Sequence, residues 1–382
     1  MKQYALYFAT NRNHLGPDQW NPTGYGDSFS DDGQENLRFG YLTVNADEAF
    51  VNSCLNANVN GLGNGDGLKL ASFFTGLASS ASIQAYQENL NKTVPDFQQP
   101  TQNFGSDSFF KDLKSEMSNG ADVIVYIHGF NNSWDDCVGG ALSLQALINS
   151  YQSLGKMVIV VLFSWPSQKG LIPFYSYWSD RAAAKASGYA VGRGFLRLRD
   201  FLNRLYAEVR NGTDALCGQS IHLLCHSMGN FALQNALERI EEFTLTPGLP
   251  RVFENIFMCS PAVADTVLES GQPMERLNEL TRSISVYYNR DDKAIIIGDT
   301  TKSTEELLGH NGCAHPYLLH SKVNQIDCTG IVPGGLFDTK HGYFLLGDIN
   351  RDIAQTIAGV MQNDKNRMRD PNSELPNTWK MR

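Results

Sequence analysis

Charged residues are scarce in this chain, and those present are mostly acidic. Lys, Arg, Asp and Glu make up 19% of the 382 residues, and the formal net charge is −9. A globular domain usually has roughly 25% charged residues. Because a protein that binds a polyphosphate backbone needs a basic face that releases counterions, nucleic acid is not an expected partner.

Long hydrophobic runs are also missing from the sequence. No apolar run approaches the roughly 20 residues that a membrane-spanning helix needs. The apolar stretch within MKQYALYFATNRN is too short for a secretory signal, and polar residues follow it. We therefore expect a soluble protein with neither a membrane span nor an export signal.

The cysteines do not form an obvious set of pairs. There are seven of them, they are scattered along the chain, and several lie inside apolar runs, where a free thiol behaves as a small hydrophobe. This usage is typical of a reducing compartment, so the sequence predicts a cytoplasmic location.

Short apolar runs rich in β-branched and aromatic residues alternate with helical stretches along most of the chain. This alternation is typical of an α/β protein whose mostly parallel sheet is covered by helices on both faces. The predicted strands of the parallel part are residues 123–127, 158–163, 221–225, 256–259 and 284–288. The predicted helices are residues 137–151, 182–209, 228–243 and 274–281. Two earlier strands, residues 4–10 and 37–44, are expected to pair as an antiparallel edge.

Residues 1–362 are predicted to form a single domain with two departures from this alternation. Residues 46 to about 105 are rich in Asn, Gly, Ser and Gln, and we interpret them as an insertion packed on one side of the sheet. An aromatic-rich segment at about 165–195 is expected to act as a cap. The polar tail from residue 363 to 382 contains two prolines and is expected to be frayed and flexible.

The stretch IHLLCHSMGN ends a predicted buried strand at a serine, Ser227, and passes directly into a helix. A serine on such a sharp turn stands above the sheet edge, and the turn accepts only small residues two positions before and after it. Gly229 meets this requirement, whereas Cys225 stands where the general pattern has glycine. The turn leaves the backbone N–H of Met228 free to face an oxyanion. We predict that Ser227 is a nucleophile, with an ordinary serine N-cap as the alternative.

A second motif, VIVYIHGFNNSWDD, places a glycine after another predicted buried strand. Gly129 allows the backbone to approach the site closely, and the N–H of Phe130 is predicted to be the second oxyanion donor. One further strand and helix separate the two motifs, as a catalytic arrangement of this type requires.

A serine nucleophile also needs a carboxylate and then a histidine further along the chain. Asp292, which follows the apolar run SISVYY, is the predicted carboxylate, and Asp265, one strand earlier, is its rival. His341 lies on a short loop after the last predicted strand and is the predicted base. His226, beside the serine, is expected to pack or to bond nearby backbone instead.

Aromatic side chains are concentrated after the second predicted core strand, in SWPSQKGLIPFYSYW. They predict an apolar pocket for an acyl or aromatic group, although a cap packed on the core would have the same composition. The pocket candidates are Trp165, Phe174, Tyr175, Tyr177 and Trp178. Asp180 and Arg181, which follow, are interpreted as a structural ion pair.

No cofactor site emerges from the sequence. The spacing of His310, Cys313 and His315 could suggest zinc, but a second pair of ligands is missing and a solvated loop is favoured. No phosphate-binding glycine-rich loop is present either. We therefore expect neither a metal nor an organic cofactor.

Several of these motifs together resemble a known family. They are YFATNR, VIVYIHGFNNSWDD, VLFSWPSQKG, SDRAAAKAS, IHLLCHSMGN and YYNRDDKAI. The chain is similar to the bacterial α/β-hydrolases of unknown function known as DUF900, over roughly residues 1–44 and 105–360. The resemblance implies the α/β-hydrolase fold and a site of Ser227, His341 and an acid. It implies no particular substrate.

The sequence predicts a serine hydrolase of the esterase or lipase type, which cleaves a small-molecule ester or thioester through an acyl-enzyme on Ser227. Transfer of the acyl group to an alcohol or amine remains open. A non-catalytic binding or interaction protein that keeps the turn for structural reasons is the alternative from a different class. Nothing in the sequence defines the oligomeric state.

Overall fold

The fold was analysed in a computed structural model of the chain. It describes residues 1–88, 98, 100–170, 173–243, 249–295, 306–334 and 340–382, without the side chains of residues 101, 173–176 and 243. The predicted pocket candidates Phe174 and Tyr175 therefore lie outside the described side chains.

Thirteen strands occur in the described part of the chain. In chain order, β1 to β13, they are Lys2–Thr10, Arg12–Leu15, Gly24–Phe29, Arg38–Ala46, Ser82–Ala85, Ala121–Ile127, Met157–Ser164, Ile221–His226, Phe253–Cys259, Thr281–Tyr288, Val323–Asp327, Arg369–Pro371 and Thr378–Met381. Strands β2 and β3 form a separate hairpin. The other eleven form one sheet in the order β12-β13-β11-β10-β9-β8-β6-β7-β1-β4-β5.

The centre of the sheet is parallel, and its amino-terminal edge is antiparallel. Strands β7, β6, β8, β9, β10 and β11 run parallel, whereas β1 pairs with β4, and β4 with β5, in antiparallel fashion. The five predicted core strands and the predicted edge pair are confirmed. The sequences of these central strands are nearly continuous in apolar residues because helices cover both faces of the sheet there.

Helices α1 to α8 are Glu48–Leu55, Gly67–Ala78, Gly105–Ser118, Trp134–Ser150, Pro173–Arg210, Gly229–Phe243, Leu308–Asn311 and Gly347–Ile357. Helices α1, α2, α4 and α8 pack on one face of the sheet, and α3, α5 and α6 pack on the other. None of the described helices combines the length and the hydropathy of a membrane-spanning segment.

The predicted helix at residues 274–281 is wrong. Only a 3-10 turn forms there, Glu275–Glu279, and Thr281 already begins β10. The backbone carbonyl of Leu280 accepts hydrogen bonds from the N–H groups of Val252 and Phe253, which align this segment with the start of β9. Tertiary pairing therefore overrides a local helical pattern that was too short to be decisive.

The segment interpreted as an insertion, residues 46 to about 105, contains two helices on one face of the sheet and one strand at the sheet edge. It supplies α1, α2 and β5, and α2 lies directly against α4. At the crossing, a Cβ on Gly139 would stand 2.2 Å from Thr75 Oγ1 and 2.5 Å from the carbonyl oxygen of Ala71. The glycine therefore allows a helix contact that no larger residue would permit without movement.

The expectation of a frayed tail is wrong for the end of the chain. Residues 369–371 and 378–381 form β12 and β13, which extend the sheet beyond β11. Asp352 of α8 anchors the segment from the core, since its carboxylate accepts hydrogen bonds from Arg367 Nε at 2.7 Å and Arg369 Nη1 at 3.0 Å. Its second oxygen also accepts from the Tyr287 hydroxyl at 2.7 Å. The composition of the tail gave no indication of this partner.

Replacing Asp352 with alanine should strongly destabilise the protein. Asp352 and Arg367 are fully buried, and Arg369 is 4% exposed, so the change leaves two buried guanidinium groups without their carboxylate. Breaking a buried pair in this way costs about 3–5 kcal/mol. Urea unfolding monitored by circular dichroism would measure the loss in the free energy of unfolding.

The control is Asp370→Ala, which removes a carboxylate with 64% side-chain exposure from the same segment. Its effect should be small because exposed ion pairs contribute only about 0–1 kcal/mol. Equal losses in the two variants would contradict the role given to Asp352.

Candidate active site

Ser227 lies on a sharp turn between β8 and α6 and has an unusual backbone conformation. Its φ is +53°, in the left-handed region that residues other than glycine rarely adopt. Its N–H donates to the carbonyl of Cys259 at 2.9 Å, and its carbonyl accepts from the N–H of Ala262 at 3.2 Å. Both bonds go to the end of β9 and the residues just after it. A strained serine held by its surroundings is the geometry expected of a nucleophile at such a turn.

Two glycines make the turn possible because backbone and side chains meet there closely. A Cβ on Gly229 would lie 2.5 Å from the carbonyl oxygen of Ile127, and a Cβ on Gly129 would lie 2.8 Å from Ser227 Cβ. Cys225, in contrast, is a fully buried residue of β8, paired with β6 and β9. The departure from glycine at position 225 is therefore accommodated within the sheet, whereas positions 129 and 229 need glycine.

Asn230 supports the turn and was missed in the sequence. Its side-chain amide donates to the carbonyls of Cys225 at 3.0 Å and of Ser227 at 3.1 Å. Asn230 is fully buried. The signal in the sequence is the motif CHSMGN, which places an asparagine in the first turn of a helix. Such a side chain can hydrogen-bond to the backbone that precedes it.

The two predicted oxyanion donors have free N–H groups. Within the described residues, neither the Phe130 N–H nor the Met228 N–H donates to a protein acceptor. Met228 lies directly before α6, so the positive end of the helix dipole is close to it. Backbone donors without partners at a helix start can stabilise a developing negative charge.

The loop that carries Phe130 is fixed by buried polar groups. Asn131 has φ +59°, and its N–H donates to Asp180 Oδ2 at 3.0 Å. The same oxygen accepts from the Ser167 hydroxyl at 2.5 Å. Arg12, which is fully buried, donates from Nη2 to the carbonyl of Asn132 at 3.0 Å. Three distant parts of the sequence therefore position the backbone next to Phe130.

The interpretation of Asp180 and Arg181 as an ion pair is wrong. Asp180 is 1% exposed and accepts backbone and hydroxyl donors, including the N–H of Gln168 at 3.0 Å. The Arg181 guanidinium instead lies 3.7 Å from the centre of the Phe231 ring. Adjacent residues of a helix point in different directions, so neighbours in the sequence need not pair.

Asp292 and His341 meet beside the end of β10. Asp292 Oδ2 accepts a hydrogen bond from His341 Nδ1 at 2.7 Å, and Asp292 is fully buried. The other oxygen, Oδ1, accepts from the N–H groups of Ala294 at 3.0 Å and Ile295 at 3.3 Å. The carboxylate is thus held in place by the turn that follows it, and the imidazole Nδ1 carries the proton of this contact.

His341 is also fixed through its backbone, next to the serine. Its carbonyl accepts from His226 Nε2 at 3.2 Å and from the Ser260 hydroxyl at 3.3 Å. The expectation that His226 bonds nearby backbone is confirmed. Burial and the nearby His341 lower the pKa of His226 well below its usual value, so it stays neutral.

The second ring nitrogen of His341 is available for chemistry. Nε2 is buried and has no hydrogen-bond partner in the described part of the chain. No hydrogen bond joins it to Ser227 among those residues. Catalytic hydrogen bonds are often long in an unliganded site and shorten when substrate binds.

Asp265, the rival acid, lies in a different environment. Its N–H donates to the carbonyl of Glu306 at 3.0 Å, and its own carbonyl accepts from Ala314. Burial, followed by the negative charges of Glu306 and Glu269, raises the pKa of Asp265. The structure pairs His341 with Asp292 and not with Asp265.

The other carboxy-terminal histidines do not gather around a common centre. His315 Nδ1 lies 2.9 Å from Glu269 Oε1, and His310 belongs to α7. Among the residues that the structure describes, no three His, Cys, Asp or Glu side chains are arranged to hold a metal ion.

The assignment of Trp165 to a substrate pocket is wrong. Trp165 is fully buried, and its ring stacks on His128 with 4.9 Å between ring centres. Its indole N–H donates to the His128 carbonyl at 3.0 Å, and its backbone N–H donates to His128 Nε2 at 3.2 Å. Trp165 directly follows β7, and its indole packs on His128, which lies between the end of β6 and the loop of Phe130.

Two other pocket candidates lie closer to the site. The Tyr177 ring meets the Phe130 ring edge-on, with centres 5.6 Å apart, and Trp178 meets Tyr177 at 5.8 Å. Trp178 is 37% exposed. Tyr177 is only 6% exposed, so of these two rings mainly that of Trp178 is accessible.

The parallel sheet, the strained serine after β8 and the paired Asp292 and His341 define the class of protein as an α/β-hydrolase. The chain belongs to the family described as alpha/beta hydrolase of unknown function (DUF900), whose sequence model matches residues 105–345. The family resemblance and the fold class predicted from the sequence are confirmed.

Comparison with known proteins gives no substrate. No curated protein matches the chain. Phospholipase PlaB from Legionella pneumophila is 12% identical, with 58% of this chain and 42% of that chain covered and a TM-score of 0.24. Lipase B from Aspergillus fumigatus is 14% identical, with 64% and 58% covered and a TM-score of 0.29. The chain therefore spans about half the length of these two proteins.

His128 should remain neutral to low pH. Burial, and then the charge of Arg12, lower its pKa to about 3. An unfolded histidine titrates near 6.5, so the unfolded state binds the proton first. The stability present above pH 6.5 should therefore fall progressively as the pH drops toward 3.

Side-chain NMR of the folded protein should show a His128 signal that is constant between pH 7 and pH 4. The same signal in the urea-unfolded chain should move near pH 6.5 and serves as the control. A folded-state signal that moves near pH 6.5 would show that burial and the charge of Arg12 do not hold the ring neutral.

Proposed function

We propose that this protein is a serine hydrolase that cleaves a carboxylic ester or thioester through an acyl-enzyme on Ser227. The observation that carries the proposal is the 2.7 Å contact between Asp292 and His341, beside a serine held at φ +53°. The family supports a hydrolase in general. The ester bond and the roles of the individual residues are our proposal.

In the first step, His341 Nε2 removes the proton from Ser227 Oγ as the oxygen attacks the substrate carbonyl carbon. The free state of Nε2 supports this role, since nothing in the described residues competes for its lone pair. Asp292 keeps the proton on Nδ1 and stabilises the imidazolium that forms. The carbonyl oxygen becomes an oxyanion in the tetrahedral intermediate.

The oxyanion is bound by the N–H groups of Phe130 and Met228. Such donors act mainly on the charge that develops in the transition state, and removing one typically costs about 10²–10³ in kcat. The bonds from Asn131 and Asn132 to Asp180 and Ser167 hold the Phe130 loop before substrate arrives. This preorganisation is what makes backbone donors effective.

The intermediate collapses when His341 gives its proton to the leaving alcohol or thiol, and the acyl group stays on Ser227 Oγ. A water molecule then loses a proton to His341 and attacks the acyl carbon. The acid is released, and the proton returns to Ser227. The rings of Tyr177 and Trp178 favour an apolar acyl group beside the oxyanion loop.

A fluorophosphonate probe tests the nucleophile directly. It should form a covalent phosphonate on the wild-type protein, seen as an added mass in intact mass spectrometry, because only an activated serine attacks it. Ser227→Ala and His341→Ala should remain unlabelled. Circular dichroism establishes that each variant is folded.

An unlabelled but folded wild-type protein would contradict the proposal. The chain would then be a binding protein of the α/β-hydrolase fold that keeps the turn for structural reasons. A labelled protein would next be assayed with p-nitrophenyl esters of graded chain length to define the acyl group.

Asp292→Asn should lower kcat on an accepted p-nitrophenyl ester by roughly 10⁴ with little change in structure, because the amide favours the wrong tautomer of His341. The matched control is Asp265→Asn, which changes the rival acid and should leave kcat close to the wild-type value. Loss of activity in the Asp265 variant alone would reverse the assignment of the acid.

A further inference from the structure

An apolar cavity of about 560 Å³ lies between the sheet and helices α3 and α5. Its floor includes Val123, Val125 and Ile127, which are alternate residues of β6 and share one face of the sheet. Its roof is the part of α5 from Val191 to Tyr206. The lining includes none of the residues of the proposed catalytic site.

The cavity borders α5 over about four turns. From Val191 to Tyr206, α5 advances about 22 Å at 1.5 Å per residue. Val191, Phe195, Leu198, Leu202 and Leu205 line the cavity along this stretch, so an extended hydrocarbon chain lying beside α5 would contact apolar side chains over much of that distance.

An empty space of this size is unusual in the interior of a protein, where voids larger than a water molecule are few. The exposure of Val125 shows that neighbouring side chains do not fill this space. It belongs to β6, with β7 on one side and β8 on the other, yet it is only half-buried. Apolar walls in contact with water are unfavourable, so an apolar occupant would stabilise this region.

Polar groups are concentrated at one end of the cavity, where β8 and β9 begin. Gln219, Ser220 and Arg251 line this end. The charged residues of the whole lining are Lys114, Arg199, Arg251 and Glu254, which are three cations and one carboxylate. The cations pair with the acidic residues Asp214, Asp200 and Glu254 at the surface. Of these acidic partners only Glu254 lines the cavity, so the lining has an excess of two positive charges, which suits an anionic group.

We propose that this cavity binds a single unbranched aliphatic chain with an anionic head group, such as a long-chain carboxylate. The chain lies under α5 along the sheet, and the head group lies near Lys114 and Arg251. The site is separate from Ser227, which follows the carboxyl end of β8, whereas the polar end of the cavity borders the amino end of that strand. Binding there does not depend on catalysis.

The test is equilibrium binding of the fluorescent fatty acid cis-parinaric acid to the full chain. Val125→Phe and Leu202→Phe fill the cavity from its floor and its roof, and each should weaken binding by at least about tenfold. Ser227→Ala should bind as the wild type does. Using both walls keeps the test valid if one variant does not fold.

The matched control is Met157→Phe, which adds a ring at a position that is 55% exposed and outside the cavity. It should leave binding unchanged. Binding that is lost in Ser227→Ala but kept in Val125→Phe would show that the chain occupies the serine site and would overturn the proposal. Absence of binding to the wild-type protein would overturn it as well.

Cys217 provides a second measurement, since it lines the cavity and is the one cysteine of the seven that is not buried. Bound fatty acid should slow its reaction with a maleimide in the wild type and in Ser227→Ala, but not in Val125→Phe. Protection that is equal in all three would contradict occupancy of the cavity.

The head group is tested by competition between dodecanoate and dodecanol for bound cis-parinaric acid. Dodecanoate should displace the probe at a concentration at least about tenfold lower. Equal displacement by the two would overturn the preference for an anionic head group.

Discussion

The left-handed backbone of Ser227 is the constraint on which the rest of the site depends. A residue with a side chain keeps this conformation only when its surroundings determine it fully. Here Cys259, at the end of β9, accepts from the Ser227 N–H, and Ala262, three residues later, donates to the Ser227 carbonyl. The Asn230 side chain donates to the same carbonyl. Ser227, the proposed nucleophile, is therefore positioned by the parallel sheet itself, and its strain is balanced by several ordinary hydrogen bonds.

The loop of Phe130 and the side chain of His341 are also held by hydrogen bonds, but from more distant parts of the chain. The loop of Phe130 depends on Arg12 near the start of the chain and on Asp180 in α5. His341 depends on Asp292 through its ring and on His226 through its carbonyl. Buried polar groups are favourable only when they are satisfied, and here each of them fixes a backbone segment beside the serine.

The central strands, the serine turn and the acid and base candidates could be predicted because each follows from a local pattern. Apolar runs gave the strands, and Ser227 and Gly229 stand in a turn that few other structures require. The tail could not be predicted, because its strands depend on Asp352, a partner far away in the sequence. Trp165 was placed in the pocket because composition does not show which aromatic ring faces the core.

Helix α5 shows why the site and the cavity belong to one architecture. Asp180, near the start of α5, holds the loop of Phe130, and the second half of the helix covers the apolar cavity. Strand β6 likewise borders both regions. Val125 lines the cavity, and Phe130 follows the end of the strand. Two regular elements therefore contact both regions. Any occupant that shifted α5 against the sheet would act on the loop of Phe130 through Asp180, and the coupling between cavity and loop would be reciprocal.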